Sequence, residues 1–538
     1  MIPAAGTAVE KATLAMATTR TATTGHLPPA QLEQANAGHE RRNWILAILS
    51  LSLLIIGLDN TILNVALPTL QEEFASSASQ LQWMVDAYIL VFAGLLLTLG
   101  ALGDRFGRAK ALQAGLAIFA LASLWAAFAP SAGQLIAARG VMGIGGAFIM
   151  PATLSIIIHV FPEDERGRAI SIWAGVAGLG IGLGPLTGGL LLEHFWWGSV
   201  FLINIPIAVL AMIGGLLIIP ESRDPDATAL DIPGGILSMG AVVALVYAII
   251  EAPSKGWLDP LVLGAFALAV VLGAGFAIRE LRVEAPMLDF GFFRNLRFSF
   301  GAAAIGFAFF ALFGVIFMLT QYLQFVHGYT PLGAGIRLIP VALGIMAGAG
   351  QSHRWVRRFG TKRVVTVAML ALAAVLASMS LWTVDTEYGV IGVTLFFLTL
   401  AMGNIMAPST ESVMGALPEA KAGVGSAMND LVRQVAGAFG VAIIGSVLNV
   451  VYSNRMEDAV ASLPPQAAGP AGDSVGGALA VAAKLGGPAG EALATAGRAS
   501  FVDAFGIGAL IAAGFALVGA ALVARYLPSH SASCSGAA

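Results

Sequence analysis

Runs of about twenty apolar residues recur along this chain from Trp44 onward, separated by short polar, Gly or Pro breaks. A helix needs roughly 20 such residues to cross the hydrocarbon layer, since each adds only about 1.5 Å. In lipid every backbone amide must be bonded internally, and runs of this length are helices rather than barrel strands. The composition agrees, with 57% hydrophobic and 11% charged residues and a mean hydropathy of +0.84. The expected fold is an all-α polytopic membrane protein with fourteen spans. They fall near 44–66, 81–102, 111–129, 134–158, 169–191, 200–219, 232–251, 260–278, 298–320, 332–350, 364–382, 388–408, 425–448 and 501–524.

The first 43 residues are polar, rich in Ala and Thr, and contain no segment of signal-peptide type. They read as an uncleaved, disordered cytoplasmic tail. The single cysteine, Cys534, lies in a Ser/Ala/Gly tail at 525–538, which excludes an internal disulfide and a cysteine-based metal site. The seven histidines lack metal-ligand spacing, net charge is −3, and no basic run suits nucleic acid. There is also no G-x-x-x-x-G-K-[ST] phosphate loop to support ATP use. A soluble catalytic domain, a metal, a cofactor and a nucleic-acid partner are therefore not expected.

Orientation follows from Lys and Arg, which are enriched in cytoplasmic loops. With the N-terminus inside, the inner loops carry Arg105, Arg108 and Lys110; Arg166 and Arg168; Arg223; Arg279, Arg282, Arg294 and Arg297; and Arg354, Arg357, Arg358, Lys362 and Arg363. The short outer loops between the first twelve spans carry only Lys255, so both termini are expected in the cytoplasm. The longest outer loop, 449–500, is dominated by Ala, Gly, Pro and Ser and reads as flexible, with room for a short surface helix and no assigned function. The stretch 279–298, "RELRVEAPMLDFGFFRNLRF", suits either an interfacial segment or an ordinary inner connector.

An internal echo is present. "PATLSIIIHVFPEDERGRA" from Pro151 aligns with "PSTESVMGALPEAKAGVGSA" from Pro408 with one gap, matching Ser155 to Ser412, Pro162 to Pro418, Glu163 to Glu419 and Gly167 to Gly423. Such repeats characterise secondary transporters, whose substrate sites lie at the repeat interface. The echo equates spans one to six (44–219) with nine to fourteen (298–524). Spans seven and eight, within 220–297, are then an inserted pair.

Charges inside spans cost roughly 2.5–3.5 kcal/mol at the helix centre, so they face a cavity or a partner. Asp59, in "LDNTILNVALPTL", follows Trp44 by fifteen residues, about 22 Å from the inner boundary. Arg139 enters from outside and lies about 8 Å below the outer boundary. The shared depth suggests a pair, serving either proton coupling or permanent packing. Asp430 and Arg433, three residues apart on one helix face, suit a structural clamp or a second proton site. Glu251 reads as a solvated helix end. Asn60, Asn64, Phe313, Phe317 and Gln321 are candidates for a broad apolar substrate surface, with ordinary packing as the alternative.

The loop "GALGDRFGRAKAL", Gly100 to Leu112, is by its physics a charged turn between two helices. By pattern, through Gly103, Asp104, Arg105, Gly107 and Arg108, it resembles the loop signature of the major facilitator superfamily, departing at Ala109, where Lys110 could substitute for the usual second basic residue. "LDNTILNVALP", "LIAARGVMGIGGAFIMP" and "GLGIGLGPLTGGLL" are similar to the first-, fourth- and fifth-helix motifs of its drug:proton antiporter branches. The last matches through Gly180, Gly184, Pro185, Gly188 and Gly189, whose small residues allow close helix approach and whose proline weakens the backbone ladder. With fourteen spans, the chain from about 44 to 525 resembles the multidrug efflux transporters of EmrB/QacA type.

The resemblance implies two six-helix bundles plus the inserted pair and proton-driven efflux of hydrophobic or amphipathic compounds by a monomer in the cell membrane, with Asp59 and Arg139 in proton coupling. A dedicated exporter or importer of one metabolite shares the fold. A receptor or scaffold would need a sensory domain or signalling tail, and a membrane enzyme would need clustered catalytic groups.

Overall fold

The computed structural model describes residues 41–223, 231–283, 290–416 and 422–528. The expectations for the tails 1–40 and 529–538, for Cys534 and for Pro418 and Glu419 in the echo lie outside the described residues.

The chain is a succession of long helices. The first six are α1 Arg42–Phe74, α2 Ala78–Phe106, α3 Arg108–Ala127, α4 Ala132–Val160, α5 Glu163–His194 and α6 Ser199–Ile218. The inserted pair is α7 Ile232–Lys255 and α8 Pro260–Glu280. The second half has α9 Leu296–Gln321, α10 Pro331–Phe359, α11 Thr361–Met379, α12 Tyr388–Met414 and α13 Ala422–Val460. Two short helices follow, α14 Pro465–Asp473 and α15 Val475–Leu485, before the final α16 Gly487–Tyr526. Among the described residues, thirteen stretches are long and apolar enough to cross a membrane. The remaining expected span, 169–191, lies within the 32 residues of α5, several of whose side chains fall outside the described set.

Local chemistry sets the breaks. Ser77 and Gln80 form a reciprocal capping box at the start of α2, and Ser131 accepts from the Gln134 amide at the start of α4. Gly107, at φ 129°, makes the sharp inner turn between α2 and α3, a backbone angle that disfavours any side chain.

The helices repeat their packing with an offset of eight spans. α1 packs on α5, α2 on α4 and α3 on α6; α9 packs on α13, α10 on α12 and α11 on α16. The echo at Pro151 and Pro408 falls inside α4 and α12, equivalent helices in that scheme. α7 packs against both α2 and α13. α8 buries only Val262, Ala269 and Glu280 and turns Leu261, Leu263, Val270 and Val271 outward, a surface suited to lipid tails.

Two sequence expectations change. The 449–500 region is helical over most of its length, because Ala- and Gly-rich segments pack closely: α13 runs on to Val460, and Ala471, Val475, Ala478 and Ala482 are buried in the α14–α15 cap. The Asp473 carboxylate takes a hydrogen bond from the Ala78 amide of α2 at 2.9 Å, which ties the cap to the other half. Glu251 is no solvated helix end, since it binds Lys255 at 3.1 Å and accepts from the Trp83 indole of α2 at 3.2 Å.

Contacts between the halves gather at the outer ends of the helices. Gln324 donates to the Val65 carbonyl at 2.8 Å, and Thr330 donates to Glu193 at 3.2 Å. α5 meets α10 chiefly along its outer segment, Pro331–Arg337. The two halves are thus in contact at this end, the one remote from the Gly100–Leu112 loop.

Candidate functional site: a buried ion pair beneath a sealed outer gate

Asp59 sits near the middle of α1, because the helix continues past the expected boundary at 66 to Phe74. Arg139 lies two turns into α4 from its outer end. They nevertheless meet, since the last turns of α1 project outward to the cap, where Gln71 packs against Gly476 of α15. Both charges are buried, with side-chain exposures of 0% and 2%. One guanidinium arm, Nη1, donates to Asp59 Oδ2. The Nε donates to the Met84 carbonyl of α2 at 3.1 Å, and the guanidinium carbon stands 4.6 Å from the centre of the Tyr88 ring. The other carboxylate oxygen, Oδ1, accepts from the Asn204 amide of α6 at 3.2 Å, and Asn204 also reaches Ser123 of α3 at 3.4 Å. Two further helices of the same bundle, α2 and α6, thus supply direct partners to the pair.

Burying two charges is worthwhile only when their remaining donors and acceptors are met. Here Asn204, Met84 and Tyr88 do this, and none of them stands out in the sequence. Asn204 sits in "FLINIPI", where a neutral amide adds little to the cost of an apolar run.

A second acid was also missed. Asp86 of α2, in "WMVDAYIL", is completely buried, and neither carboxylate oxygen has a hydrogen-bond partner. Its signal is the same as that of Asp59: an acid in a run that must be apolar.

The fifth-helix motif serves two interfaces. Gly180, Gly184 and Gly188 lie against Gly57, Leu58, Thr61 and Ile62 of α1, inside one bundle. Gly189 and the Pro185 carbonyl face α10 instead: a Cβ on Gly189 would lie 2.6 Å from Leu332 Cα, and Gly335 packs on Pro185. The motif therefore combines a fixed helix pair with the seam between halves.

In the inner loop, Arg108 binds Asp104 at 2.6 Å, and Gly107 abuts Glu221, which follows α6. Glu221 accepts from the Ala109 amide at 3.3 Å, and the Arg108 amide donates to the Ser222 carbonyl at 3.0 Å. Gly103 packs on Ala111, and Arg105 is exposed. Arg42 of α1 pairs with Glu165 of α5 at 2.8 Å on the same face.

In the second half, Arg433 binds Asp430 at 3.3 Å and Thr410 of α12 at 3.3 Å, with its guanidinium 5.5 Å from the Phe309 ring of α9. This geometry joins three helices as a clamp. Of the proposed substrate-facing residues, Phe317 and Gln321 line a narrow outer crevice with Gln82, Asn449, Tyr452 and Asp473. Asn60, Asn64 and Phe313 do not line it; the Asn64 amide donates to the Asn60 carbonyl at 3.1 Å, and Phe313 packs against Gly437 of α13.

Comparison with known proteins fits this arrangement. The family model described as Major Facilitator Superfamily matches residues 49–441. The multidrug efflux pump LfrA of Mycolicibacterium smegmatis is 37% identical, over 90% of this chain and 96% of its own length. The tetracenomycin C resistance and export protein of Streptomyces glaucescens is 33% identical, over 90% and 92%. Among solved structures, a bacterial homolog of the human lysosomal transporter Spinster, in an inward-facing and unoccupied conformation, superposes with a TM-score of 0.64 at 18% identity, covering 89% of this chain and 97% of that one. The chain is a multi-pass membrane protein that belongs to the Major Facilitator Superfamily.

Proposed function

We propose that the protein exports hydrophobic or amphipathic drugs or natural products in exchange for protons, as a member of the fourteen-span drug:proton antiporter branch. The observation that carries this reading is the Asp59–Arg139 pair, buried within one bundle and fully coordinated while the outer side is closed. A buried pair of this kind can store a proton only if each partner has somewhere else to go. Arg139 has the Met84 carbonyl and the Tyr88 face, which already hold it, so Asp59 can take a proton without leaving a bare cation behind. Asn204 keeps the Asp59 carboxyl in place through the exchange.

Protons reach Asp59 from outside when the halves rock open. Substrate loads from the cytoplasm or inner leaflet when the outer side is sealed, and the alternation of the two states couples the flows. The ion gradient is the energy source, with no cofactor. The transporter works as a monomer with both termini in the cytoplasm. Relatives named for multidrug efflux and for export of a single antibiotic support efflux over import, and the second kind keeps dedicated export of one natural product as the alternative.

The test is efflux of a cationic dye from vesicles with an imposed pH gradient. Dye movement should follow the gradient and collapse when it is dissipated. Transport indifferent to the gradient would remove the antiport reading.

A further inference from the structure

The inner turn is built twice. Gly107 closes α2 and Gly360 closes α10, helices equivalent in the packing repeat, and α3 and α11 start at the next residue. Both glycines have positive φ, 129° and 82°, and both return their amide to the carbonyl four residues back, Gly103 at 2.9 Å and Val356 at 2.8 Å. The sequences around them align without a gap, "GDRFGRAK" at 103–110 on "VRRFGTKR" at 356–363, with the exposed rings of Phe106 and Phe359 in register. The two turns share a backbone and differ in charge.

In the first copy Asp104 holds Arg108 at 2.6 Å, and Glu221 reaches in from beyond α6 to accept from the Ala109 amide. In the second, Arg357 stands at the position of Asp104 and Thr361 at that of Arg108. Residues 527–538, which follow α16 as Glu221 follows α6, contain no acid. Arg354, Arg357, Arg358 and Arg363 are exposed and Lys362 is half-buried; among the described residues none of the five forms an ion pair. Glu411, at the inner end of α12, is exposed and pairs with none of them. The first turn thus sets Arg105, Arg108 and Lys110 against Asp104 and Glu221, whereas the second sets five cations against no bound acid. Residues 1–40 bring three acids and two cations, too little to neutralise it.

Arg354, Arg357 and Arg358 crowd one turn of helix, where like charges at three- and four-residue spacing repel. An anion from outside the turn relieves that repulsion. The aromatic residues indicate the level at which it lies. Trp355 and Phe359, four residues apart on one face, are 44% and 43% exposed and stack at 5.7 Å, with the Arg358 guanidinium 5.4 Å from the Phe359 ring. Exposed aromatic rings beside a basic cluster at the end of a span belong at the headgroup level of a bilayer. At that level a guanidinium meets phosphate diesters, which its fork binds through two parallel hydrogen bonds.

We propose that the α10–α11 turn binds the phosphate groups of anionic phospholipids, which supply from the adjacent leaflet the negative charge that Asp104 and Glu221 supply in the first half. The inner end of the second bundle is then anchored by lipid and that of the first by the protein itself. The inference rests on the chain spanning a bilayer, and not on the role of Asp59 or the direction of transport.

Hydrogen–deuterium exchange of the full-length protein in nanodiscs compares residues 354–363 with 103–110, the second segment serving as the control for surface potential. Replacing part of a phosphatidylcholine bilayer by phosphatidylglycerol should slow exchange several-fold at 354–363 relative to 103–110, and high salt should remove the difference. Arg357→Asp with Thr361→Arg carries the first-half pair across Gly360. It should protect the turn in phosphatidylcholine alone and abolish the response to phosphatidylglycerol. Arg354→Gln with Arg357→Gln and Arg358→Gln should abolish the response without that protection. Equal exchange of 354–363 in the two bilayers would overturn the proposal and assign the counter-charge to this chain or to an acidic protein partner. Equal protection by inorganic phosphate added to phosphatidylcholine discs would overturn it as well, since the turn would then take a free anion. Neither outcome depends on efflux, which the pH-gradient experiment tests separately.

Discussion

Asn204 of α6 donates to the Asp59 oxygen that Arg139 leaves open, at 3.2 Å, and so completes the coordination of the only carboxylate on α1 that is buried at the pair. A hydrogen bond to a charged group contributes about 1.5–3 kcal/mol. Asn204→Leu should therefore lower the melting temperature of the purified transporter and reduce gradient-driven efflux, while surface expression persists. Unchanged stability and efflux would show that Asn204 is only a packing residue.

The guanidinium of Arg139 makes contacts that an ammonium cannot reproduce, since its fork meets Asp59 and Met84 together while its plane covers Tyr88. Arg139→Lys should fold but transport poorly. Arg139→Ala leaves a buried carboxylate uncompensated and should destabilise by about 3–5 kcal/mol. Adding Asp59→Asn to Arg139→Ala should recover much of that loss without restoring gradient-driven transport, a non-additivity measurable by a double-mutant thermal-denaturation cycle.

Much of this was legible in the sequence, and the reason is the same throughout. A run of apolar residues must be a span, and a charge in such a run must have a partner, so the fold and the Asp59–Arg139 pair were both within reach. Asp86 carries that same signal, but it lies near the polar outer start of α2, "ASQLQW", where an acid is easily assigned to a helix end. Asn204, the Met84 carbonyl and Glu221 carry no such cost and emerge only from packing. In the sequence the α14–α15 cap resembles a flexible loop, because Ala, Gly and Pro are common in loops, yet small residues are also what lets Tyr452, Gln71 and Phe325 pack against it.

Gly189 and Gly335 set the closest approach of α5 and α10 at the outer seam. A leucine at either position adds volume where backbone already meets backbone. Gly335→Leu should hold the outer side open, raising the labelling of engineered outer-cavity cysteines by a membrane-impermeant thiol reagent and abolishing efflux. By contrast, Gly264→Leu on α8, where nothing lies within 4 Å, should leave both unchanged. Equal effects of the two substitutions would contradict the assignment of the gate to this seam.

The cap should respond to external acid. Burial is the largest influence on Asp473 and pushes its carboxyl up, while the Ala78 and Asn449 donors pull it back in part. A group raised in the seated cap stabilises seating most below its ordinary carboxylate range, and that contribution is lost as pH rises through the raised value. Amide protection in α14 and α15, corrected for the intrinsic pH dependence of exchange, should therefore be greater at an external pH of about 5 than at about 7.5. Asp473→Asn should flatten the difference, and a cap less protected in acid would reverse the sign of the argument.

The most direct test of the central claim is proton release on substrate addition, measured with the purified transporter in a weakly buffered solution. The parent should release protons when a transported cation binds, and Asp59→Asn should release measurably fewer while still binding it. Release from Asp59→Asn equal to that of the parent would contradict the assignment of Asp59 and Arg139 as the coupling pair.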